Sequence, residues 1–206
     1  MRRVAFVSAW NSGYDELAKV TLPNREEYCK RHGYDLITVP DWTGDRGPQW
    51  ARIAVAIKQL AKYDTVFVMD IDAIITNPDF DFKWLAATSR SLTATEDING
   101  FNCGMLLLNQ SVWTLDFMRR YWDAGKFYSH HVNPEQTCMA HMLICEPQKE
   151  WEIVSQRKFN SFRYELFEYG PYPEGQWQKG DFILHLPSLD NDQRIKIFNA
   201  YLSSYR

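Results

Sequence analysis

Residues 65–72 read Thr-Val-Phe-Val-Met-Asp-Ile-Asp. Five apolar or β-branched residues run into two carboxylates spaced i, i+2, the length and composition of a buried strand ending at a charged rim. Side chains two apart in an extended chain share a face. Asp70 and Asp72 are therefore expected to emerge together at the strand's carboxyl end, with Ile71 turned to the opposite face. That end of an open α/β sheet is where ligands usually bind. Two ionised carboxylates on one face repel each other unless a cation lies between them. A hard divalent ion takes one or two carboxylates and completes its shell with water and phosphate oxygens. The stretch thus points to a metal–diphosphate site.

Spacing alone does not single out this pair, because Asp-x-Asp recurs at 79–81 and 190–192. Asp79 and Asp81 follow Asn77-Pro78, a turn signal, and belong on a solvated loop. Asp190 and Asp192 flank Asn191, where they are expected to start a helix. Only Asp70 and Asp72 end an apolar strand.

Outward from that strand, the flanking pattern is that of an α/β protein. A strand is predicted over residues 4–9, a turn at Trp10-Asn11-Ser12-Gly13, and a helix over residues 14–32. Pro23 argues for a break or a second start within that helix, and His32-Gly33 for its end. A second strand follows over 34–39, then a Pro/Gly/Asp-rich loop over 40–48. The next helix is predicted over 49–62, with Ile53, Ala54, Ile57, Leu60 and Ala61 at helical spacing. This βαβαβ order implies parallel strands with right-handed crossovers. In the second half, strands are predicted over 92–95, 105–108 and 182–186. Helices are predicted over 111–122 (capped by Ser111), 134–143 (opened by Pro134) and 190–201. Residues 159–177 are aromatic, rich in Gly and Pro, and aperiodic. Phe162, Tyr164, Phe167, Tyr169, Tyr172 and Trp177 could line an acceptor wall or form core beneath a long loop.

The bulk numbers narrow the class. A chain of 206 residues that is 45% hydrophobic is large enough for a substantial core. Its net charge of −3 gives no general attraction to nucleic acid. No apolar run is long enough to span a bilayer, and the amino-terminal apolar run is too short for a signal peptide. The chain is expected to be soluble as given, either cytoplasmic or the catalytic domain of a larger protein. Cys29, Cys103, Cys138 and Cys145 contain no Cys-x-x-Cys pairing and read as reduced thiols. Asn109-Gln110-Ser111 fits a glycosylation sequon, a tripeptide common by chance.

Several short segments resemble, in order, those of glycosyltransferase family 34, a GT-A fold family of yeast α-1,6-mannosyltransferases, galactomannan galactosyltransferases and plant xyloglucan xylosyltransferases. Tyr28-Cys29-Lys30-Arg31-His32-Gly33-Tyr34 resembles its Tyr-Ala-x-x-His-Gly-Tyr. Trp50-Ala51-Arg52 resembles its Trp-Ala-Lys, and Met69-Asp70-Ile71-Asp72-Ala73 its Met-Asp-x-Asp-Ala. Phe101-Asn102-Cys103-Gly104 resembles Leu-Asn-Thr-Gly, and Trp113-Thr114-Leu115-Asp116 resembles Trp-Ser-Leu-Asp. Glu135-Gln136 resembles Asp-Gln, and Leu184-His185-Leu186 resembles Thr-His-Phe. The family's tail, His-Phe-x-Gly-x-x-Lys, departs here after His185. Its glycine is missing, and neither Arg194 nor Lys196 stands at the spacing of its diphosphate-binding lysine.

The resemblance implies a single GT-A (Rossmann-like) domain with a mixed, mostly parallel central sheet flanked by helices. Residues 1 to about 100 would be the nucleotide-binding half and about 101–206 the acceptor-side half. It implies a metal-dependent, retaining glycosyltransferase that moves a hexose or pentose from a UDP-sugar to a carbohydrate acceptor. Asp70, Asp72 and His185 would hold Mn2+ or Mg2+, Asp72 most directly. Ser8, Ala9 and Trp10 would sit by base and ribose, and Arg52 would fork onto phosphate oxygens. Asp70, Ile71 and Asp72 would follow the donor, with Asn102 and Gly104 near its sugar. Gln136 would face the anomeric centre and Glu135 the sugar hydroxyls, making Gln136, Glu135 and Asp70 the catalytic candidates. An inverting route would instead need a base, for which Glu96, Asp97, Glu135 and Asp190 are candidates. Two alternatives compete: a haloacid-dehalogenase-type phosphatase with Asp70 as nucleophile, and a sugar-nucleotide-binding module without turnover.

Overall fold

The structure, a computed structural model, describes residues 2–42, 44–168 and 170–204. Tyr169 of the aromatic segment lies outside them. In the first half, β1 (Val4–Ala9), α1 (Asp15–His32), β2 (Asp35–Val39), α2 (Ala51–Leu60) and β3 (Thr65–Met69) follow the predicted βαβαβ order. β1 pairs in parallel with both β2 and β3. All five residues of β3 are buried. Val66 and Val68 enter one cluster with α2, and Phe67 and Met69 enter another with Tyr28 and Cys29 of α1. Helices thus cover both faces, which is why the strand reads as an unbroken apolar run rather than an alternation. Each such side chain contributes about 1.5–3 kcal/mol by leaving water.

α1 ends where Gly33 adopts φ 67°, a left-handed cap that glycine takes without a Cβ penalty. It does not break at Pro23, contrary to the sequence expectation. Proline deletes one helical hydrogen bond, and the carbonyl it frees belongs to Lys19. Pro23 and Lys19 are both exposed, so water can satisfy that carbonyl, while Leu17, Ala18, Thr21, Arg25, Tyr28 and Cys29 keep the opposite face packed.

The chain then adds β4 (Ala73–Ile75), α3 (Phe82–Thr88), β5 (Leu92–Asp97), β6 (Gly100–Asn109), α4 (Val112–Ala124), α5 (Pro134–Leu143), β7 (Trp151–Val154), β8 (Ser161–Phe162), β9 (Ile183–His185) and α6 (Asn191–Ser204). Among the described residues, the main sheet has strand order β2-β1-β3-β6-β5-β7, and a three-stranded sheet has order β4-β9-β8. β6 runs antiparallel to β3 and β5, while β5 and β7 are parallel, so the sheet is mixed. β4, α3, β7 and β8 were not expected from sequence. β6 starts earlier than predicted, placing Asn102 and Gly104 inside the strand rather than before it.

The other two Asp-x-Asp pairs are exposed, as expected. Asp79 pairs with Arg31, Asp81 caps α3, and Asp190 accepts from the Gln193 amide at the start of α6. Asn109 of the sequon is buried and spans Thr65 and the carbonyls of Ala86, Ser89 and Arg90, so it is packed rather than presented. Phe162 and Tyr164 are core. All four cysteines are free thiols.

Candidate active site

β3 stops at Met69, and residues 70–72 turn out of the sheet. The Asp70 amide still bonds the Gly104 carbonyl at 3.0 Å, the next rung after the Met69–Met105 pair. The antiparallel course of β6 therefore sets Asn102–Gly104 beside the end of β3. After the turn, β4 pairs antiparallel with β9 in the register Ala73↔His185, and the Leu186 amide donates to the Asp72 carbonyl at 3.0 Å. This pairing carries His185 to Asp72 across more than a hundred residues of chain. The carboxylates converge through a tight turn, not through alternation along an extended strand. Ile71, expected to face away, packs with Trp10, Leu17 and Ile74 and also edges the cleft.

The turn is clamped from below by Arg25, which the sequence reading did not single out. Its fully buried guanidinium donates to the carbonyls of Met69, Asp70 and Ala73 and to Ser8 Oγ. Burial pushes its pKa down to about 10 against the pull of Asp72 and Asp70, so it remains a cation at neutral pH.

Asp70 Oδ1 lies 2.8 Å from Arg52 Nε, and Asp72 Oδ2 lies 2.9 Å from Arg194 Nη2. Asp72 Oδ1 lies 3.1 Å from His185 Nε2. Burial raises the Asp70 carboxyl, Arg52 pulls it down and Asp72 pushes it up again, so its pKa is raised. Burial also acts on Asp72, but His185 and Arg194 outweigh it and hold that carboxyl below its usual range. The neighbours thus separate two identical side chains, and Asp72 is the more firmly ionised.

Asp70, Asp72 and His185 each offer a ligand atom, all within 4.8 Å of one another. Two carboxylates and one imidazole suit a divalent ion that accepts mixed oxygen and nitrogen ligands, such as manganese. The donor set therefore fits the metal that the resemblance implies. Gly104 makes room for it: a Cβ there would stand 2.7 Å from Asp70 Oδ2 and 2.9 Å from His185 Cε1.

A cleft of about 290 Å3 opens above this cluster. It brings together Ala9, Trp10, Arg52, Asp70, Ile71, Asp72 and Glu135 from the predicted set, and adds Asn11, Tyr14, Pro48 and Gln49. Trp10 is held in place by a 2.9 Å bond from its indole N–H to Asp15 Oδ1. Ser8 is not on the lining; its hydroxyl is buried and donates to the Met69 carbonyl at 2.9 Å. Asn102 is likewise buried, bonding Asp97 at 2.7 Å and the Gly104 amide at 2.9 Å. Gln136 accepts from the Cys103 amide at 3.3 Å. Glu135 is 7% exposed and sits 3.5 Å from Arg52 Nη2, while its Oε2 has no hydrogen-bond partner. A buried acceptor without a partner costs about 1–3 kcal/mol, so this oxygen is suited to a ligand's hydroxyl.

A parallel βαβαβ half, an acidic turn at its third strand and a histidine delivered by a late strand together make a GT-A glycosyltransferase fold. The chain belongs to the galactosyl transferase GMA12/MNN10 family (glycosyltransferase family 34), whose sequence model matches residues 4–88 and 82–194. It is 24% identical over 222 residues to the probable alpha-1,2-galactosyltransferase gmh2 of Schizosaccharomyces pombe, covering 86% of this chain and 62% of that protein. It is 29% identical over 119 residues to the probable glycosyltransferase 6 of Oryza sativa subsp. indica, covering 52% of this chain and 25% of the relative. The chain thus spans less than two thirds of the length of either.

Among solved structures, a glycosyltransferase involved in glycosylating the major capsid of PBCV-1 superposes with a TM-score of 0.77 at 13% identity, covering 96% of this chain and 99% of that one. The galactosyltransferase LgtC, solved with donor and acceptor sugar analogs, superposes with a TM-score of 0.56 at 12% identity, covering 97% and 95%. At these identities the likeness is one of fold. Family membership does not favour the phosphatase alternative. Among the described residues, no helix is long and apolar enough to cross a membrane.

Proposed function

We propose that this chain is one catalytic domain, with its nucleotide half at about residues 1–100, that transfers a hexose or pentose from a UDP-sugar to a carbohydrate acceptor with retention, using Mn2+ or Mg2+. The observation that carries the proposal is the meeting of Asp70, Asp72 and His185, the two carboxylates lining one cleft and the buried imidazole behind them. When bound there, the ion supplies Lewis-acid stabilisation of the charge growing on the leaving diphosphate.

The chain's own residues divide the remaining work. Trp10, Asn11 and Tyr14 line the end where base and ribose would lie. Arg52 orients Asp70 and, from the cleft wall, would direct its positive charge toward phosphate oxygens. Arg194, anchored through Nε to the Leu186 carbonyl at 2.8 Å, brings a second cation to Asp72 from α6. It would supply positive charge in the absence of the family's lysine, though from a different position in the sequence. Glu135 Oε2 is the acceptor for a donor-sugar hydroxyl, and Gln136 stands next to it at the start of α5.

Retention is supported by the fate of the alternative bases. Asp97 is bonded to Asn102 and to the Asn99 amide, Asp190 caps α6, and Glu96 is exposed outside the cleft lining. Glu135 is the candidate that reaches the cleft, and it faces Arg52. The retaining route commits Glu135 Oε2 to a donor-sugar hydroxyl, and the leaving phosphate would then take the acceptor's proton.

A panel of UDP- and GDP-sugars incubated with the protein and manganese, followed by proton NMR, tests this reading. One UDP-sugar should be consumed, and the first-formed anomer should match that of the donor. Every sugar nucleotide left intact, or a first-formed anomer opposite to the donor's, would contradict it.

A further inference from the structure

Among the described residues, the Arg46 guanidinium pairs with two indole rings and a carbonyl rather than with a carboxylate. Its central carbon lies 4.0 Å from the Trp122 ring centroid and 5.1 Å from that of Trp50, and Nη1 donates to the Trp122 carbonyl. Trp122 belongs to the last turn of α4, where a cation also meets the partial negative charge of the helix end. Ring faces attract a guanidinium most when both are withdrawn from water, and Trp50 is 3% exposed. The seat is tight: a Cβ on Gly125 would overlap the Trp50 ring and stand 2.8 Å from Arg46 Nη1.

The same residue closes the loop that leads into α2. The Trp42 indole N–H donates to the Arg46 carbonyl at 3.0 Å, and the ring packs over Gly44, where a Cβ would overlap it. The Gly47 carbonyl accepts from the Trp50 amide at 3.0 Å, opening a single turn over Pro48–Trp50 that continues as α2. Pro48 and Gln49 line the cleft. The Gln49 carbonyl accepts from Arg52 Nη1 at 2.6 Å, while Arg52 Nε faces Asp70. One line of contacts thus runs from the end of α4 through Arg46 to the cleft wall and Arg52.

We propose that Arg46 is a positioning residue. It pins the loop before α2 to the end of α4, and so fixes the Pro48–Gln49 wall and the direction in which Arg52 presents its guanidinium to a diphosphate. The diphosphate part rests on the reading above; the pinning of the wall does not. A residue outside a site acts on it in this way by holding the binding groups to a fraction of an ångström.

Amide hydrogen exchange of peptides covering residues 44–52, and calorimetry of UDP binding with manganese present, test the proposal on wild type, Arg46→Met and Arg46→Lys. Arg46→Met keeps aliphatic bulk between the rings and removes the charge and the donor. Exchange over 44–52 should quicken, and UDP affinity should fall about tenfold. Arg46→Lys keeps a cation over the rings and should return UDP affinity to within about threefold of wild type. A purely structural role would lower the melting temperature of Arg46→Met and leave UDP affinity at the wild-type value. That result overturns the proposal, as does wild-type exchange over 44–52. If Arg46→Met does not fold, Gly125→Ala decides. Gly125 has helical torsions, so alanine fits its backbone, but the methyl group crowds Trp50 and the guanidinium. It should reproduce both the faster exchange and the weaker UDP binding; a wild-type value for either overturns the proposal. A wild type that binds no UDP with manganese present contradicts the nucleoside-diphosphate reading, and exchange alone then decides the pinning.

Discussion

Gly104 shows how narrow the space around the candidate cation site is. A methyl group there would meet Asp70 Oδ2 and His185 Cε1, both below 3.0 Å, and neither side chain has slack to retreat. Asp70 is held by Arg52 and His185 by Asn160. Gly104→Ala is therefore expected to keep its circular dichroism spectrum, because the residue lies in a strand with no left-handed torsion. Manganese affinity should drop about tenfold or more as the ligand geometry is displaced; calorimetric titration with manganese gives the number. Asp70, Asp72 and His185 were legible in the sequence because each ends an apolar run. Arg25 and Asn160 were not. Arg25 reads as one more charge on a helix, and Asn160 sits in an aperiodic stretch; each acts only through contacts made across the fold. Arg194 was visible as a candidate cation, but its partner Asp72 became apparent only once α6 was packed.

Single elements carry the same distinction between local signal and tertiary consequence. α5 spans the predicted residues 134–143, since Pro134 at the first turn is a local signal. β4 and β8, with three and two residues, are too short to show a period and exist through pairing with β9. α1 runs through Pro23 because its buried face outweighs one missing bond. Pro23→Ala should restore that bond and raise unfolding free energy by about 1–3 kcal/mol, the range left when the helix penalty of proline is partly offset by its stiffening of the unfolded chain. A urea titration with no gain would show that the helix is already relaxed there. Arg25→Met tests the tie between α1 and the acidic turn. It strands the carbonyls of Met69, Asp70 and Ala73 in the interior, and a loss of more than about 2 kcal/mol is expected by the same titration. A smaller loss would mean that water enters and replaces the guanidinium.

Across the whole molecule, the reversal from parallel β1–β3 to antiparallel β6 brings the two halves to one rim of the sheet. The first half contributes the acidic turn, Arg52 and the aromatic end of the cleft. The second contributes Gly104, Glu135, His185 and Arg194. The order of elements in the first half was readable from periodicity and turn residues. The register that sets His185 against Asp72 was not, because it depends on a three-residue strand in a separate small sheet. The central claim is that these parts form a metal-dependent site for a nucleoside diphosphate. Isothermal calorimetry of UDP binding, with and without manganese, for wild type and Asp72→Ala, tests it most directly. UDP should bind wild type only when manganese is present, and Asp72→Ala should lose that binding while remaining folded. UDP binding of equal strength without manganese, or unchanged by Asp72→Ala, would contradict the claim.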